Sequence, residues 1–161
     1  MMKRLLVPVC GILALATGAA ASAAGAPAVN DGYDWAMRVN DEAPVHDAIL
    51  AYEVDGTDDQ PLNFTCEEGG DRVFAGISGG APDLTAIELE SGDQRVRLTG
   101  TTDADELPTF TAQEMPATSP LFRAFAANGW LRMTADGDAT DMAATPAGRQ
   151  AIARFAAFCA G

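Results

Sequence analysis

Residues 62–78 read LNFTCEEGGDRVFAGIS. Leu62, Phe64 and Cys66 alternate with Asn63, Thr65 and Glu67, the period of two that gives a strand one apolar and one polar face. The cluster EEGGD at 67–71 is rich in turn formers, and Arg72 to Ser78 resumes a strand. The stretch therefore predicts a β-hairpin with Cys66 on its inward face. A cysteine at this place can be a metal ligand, a nucleophile, a core residue or half of a disulfide, and the rest of the chain decides among these.

Outward from this hairpin the pattern stays β. Tyr33, Trp35, Met37 and Val39 alternate with polar or small residues, and Ala48 to Val54 places Leu50, Tyr52 and Val54 on one side. DGTDDQP at 55–61 and SGGAPD at 78–83 read as loops, and Thr85 to Glu90 is expected to pair with Arg95 to Thr99 across the SGD turn. Pro108 to Met115 and Trp130 to Thr134 are further strand candidates. Two helices are punctuated by their ends. Ser119-Pro120 caps and opens a helix that Gly129 closes, and Thr145-Pro146 opens the last one. In that last helix Ile152, Phe155, Ala156 and Cys159 fall at i, i+3, i+4 and i+7, one apolar stripe. The expected fold is mainly β (α+β): a small antiparallel sandwich or partly closed barrel with a short helix and a C-terminal helix packed on the sheet.

The first 24 residues read as a secretory signal peptide. Lys3 and Arg4 precede an apolar run from Leu5 to Thr17, and Gly18 to Ala24 are almost all small, with Ala21-Ser22-Ala23 as an A-x-A site. Val7-Pro8-Val9 is not the small-residue box that precedes a lipidated cysteine, so Cys10 is expected to leave with the leader. The expected division is 1–24 signal peptide and 25–161 a single domain, periplasmic or secreted and monomeric, with no later segment apolar enough to span a bilayer.

Export fixes the cysteine arithmetic. Once Cys10 is removed, Cys66 and Cys159 remain in an oxidising compartment, neither in a C-x-x-C motif, and one histidine, His46, is too few to complete a thiolate metal site. Both face the same core, so a Cys66–Cys159 disulfide is expected. It closes a loop of about 94 residues, for which chain entropy gives roughly 4 to 5 kcal/mol.

The mature chain would hold eight Arg, no Lys and 23 acids, a formal charge of −15. Such a chain repels nucleic acid and anionic lipid, and its charge serves solubility, life in salt, or attraction to a cationic protein. Catalytic sets are missing. Gly76-Ile77-Ser78-Gly79-Gly80 matches G-x-S-x-G, but the hydrolase elbow needs a strand-to-helix junction and a histidine after the serine, whereas His46 precedes it. Acids bunch at DADE 103–106 and DGDATD 136–141, yet an EF-hand loop counted from Asp136 has Asp141 at the sixth position and Ala147 at the twelfth, where Gly and Glu are needed. A solvated turn is expected there. Glu88 and Glu90 alternate onto an outer face, and His46 has no partner in the sequence. No catalytic residue, metal site or cofactor is expected, and the chain reads as a non-enzymatic binding or accessory domain.

Trp35 in the first strand, Cys66 in the third and the helix ending Phe155 to Cys159 resemble a group of small exported bacterial proteins of β-rich fold. More loosely, FTCEEGGDRVFAGISG through LESGDQRVRLTG is similar to the periplasmic C-type lysozyme inhibitors, β-barrel proteins that place an S-G loop in the active-site cleft of their target. That resemblance implies Ser91, Gly92 and Asp93 as the contact turn and inhibition of a cationic cell-wall hydrolase as the activity. The aromatic residue that follows S-G in that family is replaced here by Arg95-Val96-Arg97, and its lysine-bearing loop has no counterpart.

Overall fold

The computed structural model of the chain describes residues 25–42, 44–57 and 59–161. The expected leader, 1–24, lies outside them. Among the described residues nine strands form one antiparallel sheet in the order β1-β2-β3-β4-β7-β6-β5-β8-β9, curled nearly into a barrel. They are β1 (Tyr33–Asn40), β2 (Asp47–Val54), β3 (Leu62–Glu67), β4 (Val73–Ser78), β5 (Ala86–Ser91), β6 (Gln94–Asp103), β7 (Thr109–Ala112), β8 (Trp130–Ala135) and β9 (Asp138–Ala143). The described residues also form two helices, α1 (Pro120–Asn128) and α2 (Pro146–Ala160).

β6 carries the sheet round its corner. Gln94 to Thr99 pair with β5, whereas Gly100 to Asp103 pair with β7. At the bend a Cβ on Gly100 would collide with the Thr111 carbonyl and lie 2.7 Å from the Phe110 ring. Only glycine lets one strand pass between the two halves this closely.

Alternation fills the interior as the sequence implies. Trp35, Leu50, Tyr52, Leu62, Phe64 and Cys66 are all buried. The Trp35 ring lies 5.3 Å from Tyr52, 6.0 Å from Phe64 and 4.9 Å from Phe125 of α1, distances at which aromatic quadrupoles attract. Each such side chain contributes about 1.5 to 3 kcal/mol by leaving water. The Trp35 indole also donates to the Met142 carbonyl of β9 at 3.2 Å, linking the two edge strands that do not pair through their backbones.

The helix ends follow their caps. Ser119 accepts from the Phe122 N–H, and Gly129, at φ 68°, adopts the left-handed conformation that lets its N–H reach the Phe125 carbonyl. Thr145 caps α2 through the Ala147 and Gly148 N–H groups. Asp34 on β1 adds a second anchor, accepting from the Thr145 N–H at 3.0 Å and from its hydroxyl. A negative group is favourable at this positive helix end. α2 thus lies against β1 and shields that edge.

At its other end α2 meets the EEGGD turn. Cys66 and Cys159 form the expected disulfide, with Cα atoms 5.8 Å apart. The Gly69 N–H donates to the Phe158 carbonyl at 2.9 Å and the Asp71 N–H to the Cys159 carbonyl at 2.8 Å. Two of the carbonyls that every helix leaves orphaned at its C-terminus are therefore satisfied by the β3–β4 turn. The Asp71 carboxylate in turn accepts from the Thr118 N–H at 3.0 Å, fixing the approach to α1.

One element differs from expectation. The DGDATD segment is mostly strand: Asp136 and Gly137 form the turn of a β8–β9 hairpin, both with positive φ, and its last four residues open β9 at Asp138. Asp-Gly between strands is a strong hairpin signal because it accepts the backbone twist that tight turns need. Asp141 consequently sits opposite Arg132, and the two make a bidentate pair at 2.6 and 2.9 Å. Hydrogen bonding to Arg132 holds the Asp141 carboxyl below its ordinary range and raises the Arg132 guanidinium.

Candidate binding groove beside the disulfide

The outward faces of the sheet differ in chemistry. On the half built from β5, β6 and β8, register places Glu88 beside Arg97 and Glu90 between Arg95 and Arg132. Arg97 lies 3.7 Å from Glu88, and Arg95 is hydrogen-bonded to Glu90. The two glutamates are thus on the outer face, as their spacing implies, and each is held by arginine. On β1 and β2 the one buried carboxylate among the described residues, Glu53, accepts both arms of Arg38 at 2.5 and 2.8 Å and the Gln60 amide at 2.9 Å. Register leaves only Ala36 and Ala51 between Arg38 and Glu53, which lets the long side chain lie across the strands. The Glu53 hydrogen bonds raise the Arg38 guanidinium further.

A third region behaves differently. Outside Cys66, the outward side chains of β2, β3 and β4 surround a groove of about 360 Å³ lined by Asp47, Thr65, Glu67, Gly70, Arg72 and Phe74. Asp47 and Glu67 are direct partners across β2 and β3, an arrangement in which like charges repel. Among the described residues neither carboxylate is in an ion pair, and the adjacent cation, Arg72, reaches Glu114 at 3.5 Å. Phe74, on β4 opposite Thr65, is part-exposed and lines the same groove. Two unneutralised carboxylates beside an aromatic ring make a seat for an ammonium or guanidinium group, attracted both by charge and by the ring face. His46, one residue before Asp47, contacts Glu68 with its Nδ1 at 3.0 Å, a partner the sequence did not reveal because it comes from the turn after β3.

The turn taken from the inhibitor resemblance is placed otherwise than expected. Ser91 is fully buried. It ends β5 on the inward face, after Ile87 and Leu89, donates from its hydroxyl to the Trp130 carbonyl at 2.8 Å and accepts from the Asn128 amide at 3.2 Å. Gly92, at φ 63°, lies under the same Asn128 amide, 2.8 Å from where a Cβ would stand. Of the three residues only Asp93 is exposed. An S-G loop projecting freely from the sheet is therefore corrected to a turn tied to the end of α1. Alternation carried one residue past Glu90 would have shown it.

Ser78 ends β4 opposite Thr109, and the chain continues through Gly79 into a turn, so its surroundings are those of a strand end. Among the described residues no group of three or more His, Cys, Asp or Glu is placed to hold a metal ion, and no helix is long and apolar enough to cross a membrane. No family model matches the chain, and neither the curated proteins nor the solved structures contain a match.

Proposed function

We propose that the protein is an exported, non-catalytic domain of the cell envelope that binds a cationic segment of another protein in the groove beside Cys66–Cys159. The observation that carries this reading is that Asp47 and Glu67 face each other directly across β2 and β3, exposed and without arginine partners, with the part-exposed Phe74 ring of β4 lining the same groove, whereas Glu53, Glu88, Glu90 and Asp141 are each paired with arginine. A lysine or arginine seated there relieves the repulsion of the two carboxylates, and the excess of 13 negative charges over the whole chain steers a basic partner toward it. The disulfide is compatible with an exported protein. Where the target is a cell-wall hydrolase, binding of this kind takes the form of inhibition, and Asp93 is the member of the 91–93 turn able to contribute.

The test uses a lysozyme as the cationic probe, with binding to the immobilised domain followed at low and moderate salt. Binding that weakens as the screening length falls toward about 8 Å, and that drops about tenfold in the Asp47→Asn/Glu67→Gln double variant, supports the proposal. A double variant that binds like the wild type overturns the groove, and no binding at low salt overturns the cationic partner. Loss of lysozyme turnover in the same mixture distinguishes inhibition from simple association.

A further inference from the structure

The groove continues past Phe74 into a surface of opposite character. On the outer face of β3, β4, β7 and β6, one cross-strand row reads Asn63, Gly76, Thr111 and Thr101. Flanking it are Thr65 and Phe74 on one side and Ser78 and Thr109 on the other. Asn63, Thr65, Phe74, Gly76, Thr109 and Thr111 enclose a hollow of about 150 Å³. None of the side chains lining the hollow is charged, the adjoining charge on the same face being Asp103 of β6, the partner of Thr109, whereas the face built from β5, β6 and β8 alternates Glu and Arg. At roughly 4.8 Å per strand, four strands give a platform about 14 Å across.

Threonine suits a strand, so the hydroxyls alone need no ligand to explain them. Gly76 and Phe74 are different. Glycine in the interior of a strand weakens it and marks a place where something approaches the backbone closely. Space does not require Gly76: the nearest group a Cβ there would meet is the Asn63 amide, with Oδ1 at 2.8 Å, the movable end of a flexible side chain. What the glycine does is keep the hollow open next to the part-exposed Phe74 ring. We infer that this platform is a binding site for an uncharged oligosaccharide, one ring lying on Phe74 and the next entering the hollow over Gly76.

The chemistry fits in three ways. Sugar hydroxyls donate and accept, as do the hydroxyls of Thr65, Thr109 and Thr111 and the amide of Asn63. The apolar C–H face of a pyranose packs on an aromatic ring as other apolar groups do. The line from Phe74 over Gly76 runs along the extended backbone of β4, a track that the extended ribbon of a β-1,4-linked chain can follow from ring to ring, whereas a coiled α-linked chain would touch it at one ring. The site shares Phe74 and Thr65 with the charged groove but does not depend on a cationic partner.

The probe is the β-1,4-linked tetramer of N-acetylglucosamine, titrated into the full-length domain by calorimetry, with an α-1,4-linked glucose tetramer in parallel. Binding of the β-linked tetramer should be about tenfold weaker in Phe74→Ala, be lost in Gly76→Val, and be insensitive to salt and to Asp47→Asn/Glu67→Gln. Gly76→Val should keep or raise the melting temperature, since a β-branched residue favours a strand, so lost binding there reports the hollow and not the fold. Absence of binding at millimolar tetramer, equal binding of the α-linked chain, or unaltered binding in Gly76→Val overturns the inference. Salt-sensitive binding abolished by the acidic double variant assigns the sugar to the charged groove and also overturns it.

Discussion

Replacing both bridge cysteines, Cys66→Ala with Cys159→Ala, tests how the end of α2 is held. The bridged residues are 93 apart in sequence. For a loop of that length the chain-entropy argument gives about 4.6 kcal/mol at 25 °C. The end of α2 is also held to the turn by backbone bonds, Gly69 N–H to Phe158 and Asp71 N–H to Cys159, which do not need the sulfurs and should survive the substitution. Ile152 and Phe155, a turn or more before Cys159 on α2, are fully buried in the core and add to what holds the helix. The variant should therefore fold with α2 docked and lose stability through its less restricted unfolded chain. At about 3 to 4 °C per kcal/mol for a domain of this size, the melting temperature should fall by about 15 °C. Scanning calorimetry of oxidised wild type, reduced wild type and the double variant measures it, with the latter two melting together. A fall under about 3 °C would refute the entropic reasoning. Loss of the helical circular dichroism signal at low temperature would refute the view that the turn and core hold α2 without the bridge.

Three further outcomes follow from particular contacts. Arg38→Ala should cost more than Glu53→Gln, about 3 kcal/mol against about 1 to 2, because it strands a carboxylate that is 8% exposed whereas Arg38 at 49% can be hydrated; denaturant unfolding giving the reverse order would sink that account. Asp141 has its native pKa depressed by Arg132, so its contribution is complete above the ordinary aspartate range and disappears as pH falls through the lower native value. The difference in melting temperature between wild type and Asp141→Asn should accordingly be present at pH 7 and shrink below about pH 4, and a difference that grows on acidification contradicts the pairing. Ser91→Ala leaves the Trp130 carbonyl and the Asn128 amide short of a partner and should cost about 1 to 3 kcal/mol, while Ser91→Trp, forced into a filled interior, should cost more; a neutral Ser91→Trp would mean that the turn is exposed after all.

What the sequence determined by itself was whatever its local pattern encodes. The period of two in Leu62 to Cys66 and Tyr33 to Val39 placed strands and their inward faces, because side chains of a strand alternate whatever the partner. Ser119-Pro120, Gly129 and Thr145-Pro146 set the helix ends, because caps satisfy backbone groups within a few residues. Cys66 and Cys159 could be paired from their shared orientation toward one core. Part of the remainder is also encoded locally: the Asp136-Gly137 hairpin turn, and the inward place of Ser91 two residues after Leu89. The rest belongs to the tertiary structure alone. The passage from β4 to β7, then back through β6 and β5 to β8, depends on packing between residues far apart in the chain, and the bend at Gly100 is meaningful only once Phe110 fills the space beside it. Register then decided which charges are neutralised. Glu88 met Arg97 and Glu90 met Arg95, while Asp47 met Glu67. A shift of one residue in any pairing would have turned these side chains to the opposite face, which is why the groove and the neutral platform beside it exist only in the folded sheet.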